Sequence, residues 1–133
     1  MNTTASEITE QRALLVEDNP MIQKVHTWML EELNFKVHLA GTGRVALKLL
    51  EAAREKGYRY DIALVDMNLP DMEGAEIIKV IKKCHSGTKV IVVTACVSDQ
   101  VINSCREAGS DLILKKPITA DILKGHLNTL LDK

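Results

Sequence analysis

Apolar and polar positions along the chain switch between two periods. Four short, mainly apolar runs, Arg12–Val16 (RALLV), Ile62–Val65 (IALV), Lys89–Val93 (KVIVV) and Leu112–Leu114 (LIL), and one alternating run, Phe35–Leu39 (FKVHL), are each followed by a stretch whose apolar residues recur every three or four positions. Short runs bounded by turn residues read as strands, and the spaced stretches as amphipathic helices. The IALV run is apolar at every position, as expected of a strand buried on both faces.

Cap residues mark the helices. Asn19 offers an N-cap and Pro20 a first helical residue, and Ile22, Val25, Met29 and Leu33 form the expected buried stripe, with Asn34 closing the helix. Thr42 precedes a stripe of Ala46, Leu49, Leu50 and Ala53 that Gly57 ends. Ile77, Ile78 and Ile81 mark a third helix, which stops near Ser86-Gly87. Ser98 caps a fourth, with Val101, Ile102, Cys105 and Ala108 inside and Gly109 as its stop. Thr119 caps the last, with Leu123, Leu127, Leu130 and Leu131 on one side. Strict alternation with short connections predicts an α/β fold, (βα)5, with a doubly wound parallel five-stranded sheet and helices on both faces. Crossovers of this kind are right-handed. Residues 1–10 read as a polar, flexible lead-in and residues 11–133 as one domain, with no internal repeat.

Composition narrows the function classes. The net charge of −1 gives no electrostatic case for nucleic acid or an anionic membrane. The few aromatics, Trp28, Phe35, Tyr58 and Tyr60, form no base-stacking platform. No apolar run approaches the roughly 18 residues needed to span a bilayer, and the N-terminus lacks a basic-then-apolar signal sequence. Cys84, Cys96 and Cys105 are odd in number, widely spaced and free of any C-x-x-C pair, which fits a reducing, cytoplasmic setting. The adjacent Cys84 and His85 fall short of the ligand count a metal site needs.

The chemistry collects at the strand ends. The first run ends on Glu17-Asp18, the third on Asp66, the fourth on Thr94 and the fifth on Lys115-Lys116. In an all-parallel sheet these ends share one rim, where open α/β folds bind ligands. Two unit charges about 4 Å apart repel by on the order of 4 kcal/mol at an effective dielectric of 20. Three converging carboxylates must therefore take up protons or bind a cation, and Mg²⁺ suits a few carboxylates plus water. Such an ion leaves positions open to phosphoryl oxygens, with Asp66 set as a nucleophile. Lys116 offers a cationic donor and Thr94 a hydroxyl.

These residues stand in the motifs LLVEDN, LVDMNLPDMEG, VIVVTA and LKKP. In that order the chain resembles the receiver domain of two-component response regulators, over residues 12–131. The resemblance implies the flavodoxin-like strand order 2-1-3-4-5 and Asp66 as phospho-acceptor. It implies Mg²⁺ held by Glu17, Asp18, Asp66 and the backbone carbonyl of Asn68. Thr94 and Lys116 become the switch hydroxyl and the lysine of the pattern, and the Lys116–Pro117 bond is expected to be cis. The implied partner is a histidine kinase or a histidine phosphotransfer protein, and the implied activity is self-phosphorylation and dephosphorylation without turnover of a separate substrate. The VEDNP opening and polar lead-in look similar to receivers in hybrid sensor kinases. The implied docking face is the first helix with the loop after the fifth strand, through Asn19, Ile22, Pro117 and Ile118.

Two positions depart from the pattern. Ile113 stands where receivers commonly carry a Tyr or Phe, and an aliphatic residue cannot act as an aromatic rotamer following Thr94. Cys96, with Asn68, lies where side chains tune water access to the phosphoryl group. A small Mg²⁺-dependent phosphatase is the enzymatic alternative. Such an enzyme wants a second aspartate as general acid where Asn68 stands. A non-phosphorylated scaffold is the third reading. Among the remaining residues, His26 reads as packing, His38, His85 and His126 as solvated, Lys115 as exposed, Cys105 as core and Trp28 as outward-facing.

Overall fold

A computed structural model describes residues 10–131. Ten elements alternate in chain order: β1 (Gln11–Val16), α1 (Pro20–Glu32), β2 (Phe35–Ala40), α2 (Gly43–Lys56), β3 (Ile62–Val65), α3 (Gly74–Cys84), β4 (Lys89–Thr94), α4 (Asp99–Ala108), β5 (Leu112–Lys115) and α5 (Ala120–Leu130). All strand pairings are parallel and the sheet order is β2-β1-β3-β4-β5. The doubly wound (βα)5 reading therefore holds, with strand ends running a residue further than expected at Ala40, Thr94 and Lys115. Residues 1–9 of the expected lead-in, and Asp132 and Lys133, lie outside the described residues.

Alternation along each strand feeds two cores. Leu14, Val16, Ala63, Val65, Val90 and Val92 face α2, α3 and α4, where Ile77, Ile78 and Ile81 are fully buried. Ala13, Leu15, Ile62, Leu64, Ile91 and Val93 face α1 and α5, against Leu30, Leu123 and Leu127. The wholly apolar strands are the ones sandwiched between both layers.

The caps fall as read: Asn19, Thr42, Ser98 and Thr119 each accept from an amide one turn on. One stripe does not. Val25 is 48% exposed, and His26 takes the inner position with Met29 and Leu30. The inner stripe of α1 runs through Ile22, His26, Met29, Leu30 and Leu33, one position round from the expected one, and Gln23 Nε2 beside it donates to the carbonyl of Glu17 at 2.6 Å. Trp28 faces out, as do Met21 and Val25.

The expectation of solvated histidines is also corrected. His38 Nδ1 lies 2.7 Å from the hydroxyl of Tyr60, a residue with no exposed surface. Its ring meets Tyr58 and Tyr60 edge to face, and the Arg12 guanidinium sits 4.6 Å from the centre of the Tyr58 ring. The side chain points inward because β2 alternates and Tyr60 fills the space beside it. His85 and His126 are half-buried. Cys84 and Cys96 are exposed thiols, whereas Cys105 is buried in the core. Among the described residues, no helix is long and apolar enough to cross a membrane.

Candidate functional site

The site residues continue the sheet's own hydrogen-bond ladder. The Glu17 amide donates to Ala40 O at 3.0 Å, the Asp66 amide to Val16 O at 3.0 Å, and the Lys116 amide to Thr94 O at 2.9 Å. Their backbones are therefore positioned by the core rather than by a free loop. The register explains the convergence: Val16 pairs with both Ala40 and Val65, so the residues that follow leave the sheet side by side.

Glu17, Asp18 and Asp66 each offer a carboxylate oxygen, and the three lie within 4.8 Å of one another. Glu17 and Asp66 are buried, at 3% and 8% exposure, and Asp18 is exposed. Lys116 Nζ donates to Glu17 Oε1 at 2.8 Å and reaches Asp66 Oδ2 at 3.5 Å. The second Glu17 oxygen accepts from the Asn19 amide at 3.1 Å. Burial pushes the Asp66 carboxyl above its ordinary range, the Asn68 amide and Lys116 pull it down, and Glu17 pushes it up again. For Lys116, burial opposes the charge, but the bond to Glu17 and the field of Asp66 hold its pKa above the usual lysine value.

The donor set fits a hard divalent cation. Ligands of an octahedral Mg²⁺ at about 2.1 Å lie roughly 3 to 4 Å apart, a span the three carboxylate oxygens reach with small side-chain movement. The chemistry is all-oxygen, and the exposed Asp18 leaves the outer side open to water.

Asn68 follows Asp66 in a tight turn. Its amide donates to Asp66 Oδ1 at 3.2 Å, and Asn68 pairs with Glu73 in a one-rung bridge. Gly74 closes the turn by donating to Met67 O at 2.9 Å. A Cβ there would lie 2.4 Å from Asp66 O, so only glycine fits. Thr94 is fully buried, and its Oγ1 accepts from the Cys96 amide at 3.3 Å. The Lys116–Pro117 bond is cis. Ile113 is half-buried against the core shared with α2–α4, and borders an open groove of about 340 Å³ with Val97, Ile102 and Arg106. Asn19 and Pro117 are exposed and Ile22 is half-buried, but Ile118 is buried, which removes it from a docking surface. It packs inward with Leu123 in the core of the α1/α5 layer.

Two residues at this rim escaped the sequence reading. Gln23 fixes the Glu17 carbonyl from α1. Asp71 ties the turn after β3 to the start of α2. Neither spacing nor periodicity marks them, because each acts across a gap the chain does not reveal locally.

Comparison with known proteins agrees with this geometry. The family model described as response regulator receiver domain matches residues 13–128. A cyclic di-GMP phosphodiesterase from Thermotoga maritima is 34% identical over 111 residues, covering 84% of this chain and 28% of that protein. The sensor histidine kinase RcsC from Salmonella typhimurium is 31% identical over 124 residues, covering 93% of this chain and 13% of that protein. The chain thus spans less than a third of the length of either relative. Among solved structures, a CheY-like receiver domain protein from Methanospirillum hungatei superposes with a TM-score of 0.78 at 29% identity, covering 93% of this chain and 96% of that one. The signal receiver domain of a LuxO repressor protein from Vibrio parahaemolyticus gives 0.80 at 28% identity, covering 92% and 91%.

Proposed function

The chain belongs to the response regulator receiver domain family, and from that premise we propose that it accepts a phosphoryl group from a phosphohistidine onto Asp66. The observation that carries this reading is the convergence of Glu17, Asp18 and Asp66 with Lys116 inserted among them. An Asp66 oxygen attacks phosphorus as the donor's N–P bond breaks. The imidazole nitrogen keeps the bonding electrons and takes a proton from water.

Asp66 must be ionised to attack. The Asn68 amide and Lys116 favour that state against burial. Glu17, Asp18, Asp66 and the Asn68 carbonyl would hold Mg²⁺, which supplies charge neutralisation for the phosphoryl oxygens. Lys116 and the Thr94 hydroxyl then donate to those oxygens. Turning Thr94 toward them frees the Cys96 amide that its Oγ1 now accepts. The exposed segment Ala95–Ser98 is thereby biased toward a second arrangement.

The donor is a histidine kinase or a histidine phosphotransfer protein. Its docking face on this chain is α1 with the loop after β5. Met21, Val25 and Trp28, one helical turn apart, leave an apolar side of α1 exposed. Replacing Met21 by Asp should slow transfer from the protein donor and spare labelling by a small one.

The test is intact-mass measurement after incubation with MgCl₂ and acetyl phosphate. Wild type should gain one phosphoryl group, and Asp66→Asn none. No adduct on wild type, or equal adducts on both, overturns the reading.

A further inference from the structure

We propose that Asp71 is a positioning residue for the metal-binding turn: it clamps the segment carrying Asn68 to the N-terminus of α2. This rests on the reading of Glu17, Asp18, Asp66 and the Asn68 carbonyl as the Mg²⁺ site.

Asp71 lies at the tip of the turn between β3 and α3 and is exposed. Both of its oxygens are nevertheless occupied. Oδ1 accepts from the Gly43 amide at 2.8 Å and Oδ2 from the Arg44 amide at 2.9 Å, across 28 and 27 positions of sequence. These are the first amides of α2, where a carboxylate is favoured by the helix dipole and the unpaired N–H groups. The two bonds hold the Asp71 carboxyl below the usual range.

A helix start needs a cap, but α2 already has its own. Thr42 Oγ1 accepts from Val45 N at 3.1 Å and Thr42 O from Ala46 N at 3.1 Å. Asp71 is therefore not required to begin the helix, and what its bonds add is a fixed loop. The adjacent Met72 strengthens the tie, because its Sδ lies 2.5 Å from where a Cβ on Gly43 would be. Glycine at 43 opens the start of α2 to the turn.

The path from core to site is then continuous. α2 is anchored by Ala46, Leu50 and Ala53, all buried. It holds the tip at Asp71. The base is closed by the Asn68–Glu73 bridge and the Gly74–Met67 bond. With tip and base both fixed, the peptide of Asn68 keeps one orientation, and its amide stays on Asp66 Oδ1. Releasing the tip leaves the Asn68 carbonyl to sample several directions.

The experiment uses the 133-residue chain and its Asp71→Ala and Asp71→Asn variants. Calorimetric titration with MgCl₂ should show affinity weakened on the order of tenfold for Asp71→Ala, the range seen when groups orienting metal ligands are removed. Asp71→Asn, which keeps one acceptor oxygen, should fall between it and wild type. Amide hydrogen exchange, read by NMR without metal, should speed up at Gly43, Arg44 and Asn68. Faster exchange at Gly43 and Arg44 with unchanged Mg²⁺ affinity overturns the positioning role. If wild type itself takes no Mg²⁺, the Mg²⁺-site reading fails instead, and unaltered Asn68 exchange in Asp71→Ala then overturns the clamp. If the alanine variant does not fold, Asp71→Asn carries the same comparison.

Discussion

Lys116 and Glu17 stand 99 residues apart in the chain and meet in a 2.8 Å ion pair, with the glutamate almost fully buried. Removing one partner of such a pair strands the other charge. Lys116→Met should therefore destabilise the domain by about 3 kcal/mol. Millimolar MgCl₂ should restore part of that loss, since a divalent cation can take over the neutralisation of Glu17. Thermal denaturation of both proteins, with and without MgCl₂, checks this.

The opposite change is expected at Asp66. Burial and Glu17 hold its carboxyl above the ordinary range, so at neutral pH its charge opposes folding. Asp66→Asn should raise the melting temperature in EDTA, because it removes a charge that burial disfavours. Added Mg²⁺ should narrow or reverse the gap, because only wild type retains the third carboxylate and gains its binding free energy.

Gly74 and Gly125 separate two meanings of glycine in a helix. At Gly74 a methyl group would meet backbone, 2.4 Å from Asp66 O and 2.9 Å from Met67 Cα. Gly74→Ala should cost about 3 kcal/mol through backbone displacement and should lower acetyl phosphate labelling by moving Asp66. At Gly125, inside α5, nothing lies within 4 Å. Gly125→Ala should stabilise by about 1 kcal/mol. Urea denaturation of the two variants should shift in opposite directions.

Acidification below neutrality should weaken the fold through histidine. Burial, then Lys36 and Arg12, lower the pKa of His38 below 6.5, and burial likewise lowers those of His26 and His85. The unfolded chain takes up these protons first, so stability falls as pH drops through 6.5 toward the folded values. Asp66 has the opposite sign, but its window lies between its raised value and 3.8. Urea midpoints should thus decline from pH 7.5 to 5.5. His38→Gln, which keeps an acceptor for the Tyr60 hydroxyl without titrating, should flatten the slope.

The strands were legible because IALV and VIVV (Val90–Val93) are apolar without interruption, a signature left by burial on both faces. Glu17, Asp18, Asp66, Thr94 and Lys116 could be read as candidates because each interrupts or ends such a run, and parallel pairing brings all run ends to one rim. Rotations and ties across the fold left no comparable trace. Val25 keeps helical spacing but points outward because the polar His26 beside it takes the buried face with Met29 and Leu30. His38 looks like any polar residue of an alternating strand until Tyr60 is found beside it. Asp71 reads as a common turn residue, and its partners Gly43 and Arg44 lie too far away in sequence to be guessed.

The cysteine distribution has a practical consequence. Cys84 ends α3 beside the entry to β4, Cys96 follows the exit of the same strand, and the third thiol is sealed in the interior. Exposed thiols react far faster than buried ones, so the native sequence accepts two fluorophores or spin labels astride one strand without prior mutagenesis. A molecular ruler of that kind would read movement of the β4–α4 segment directly.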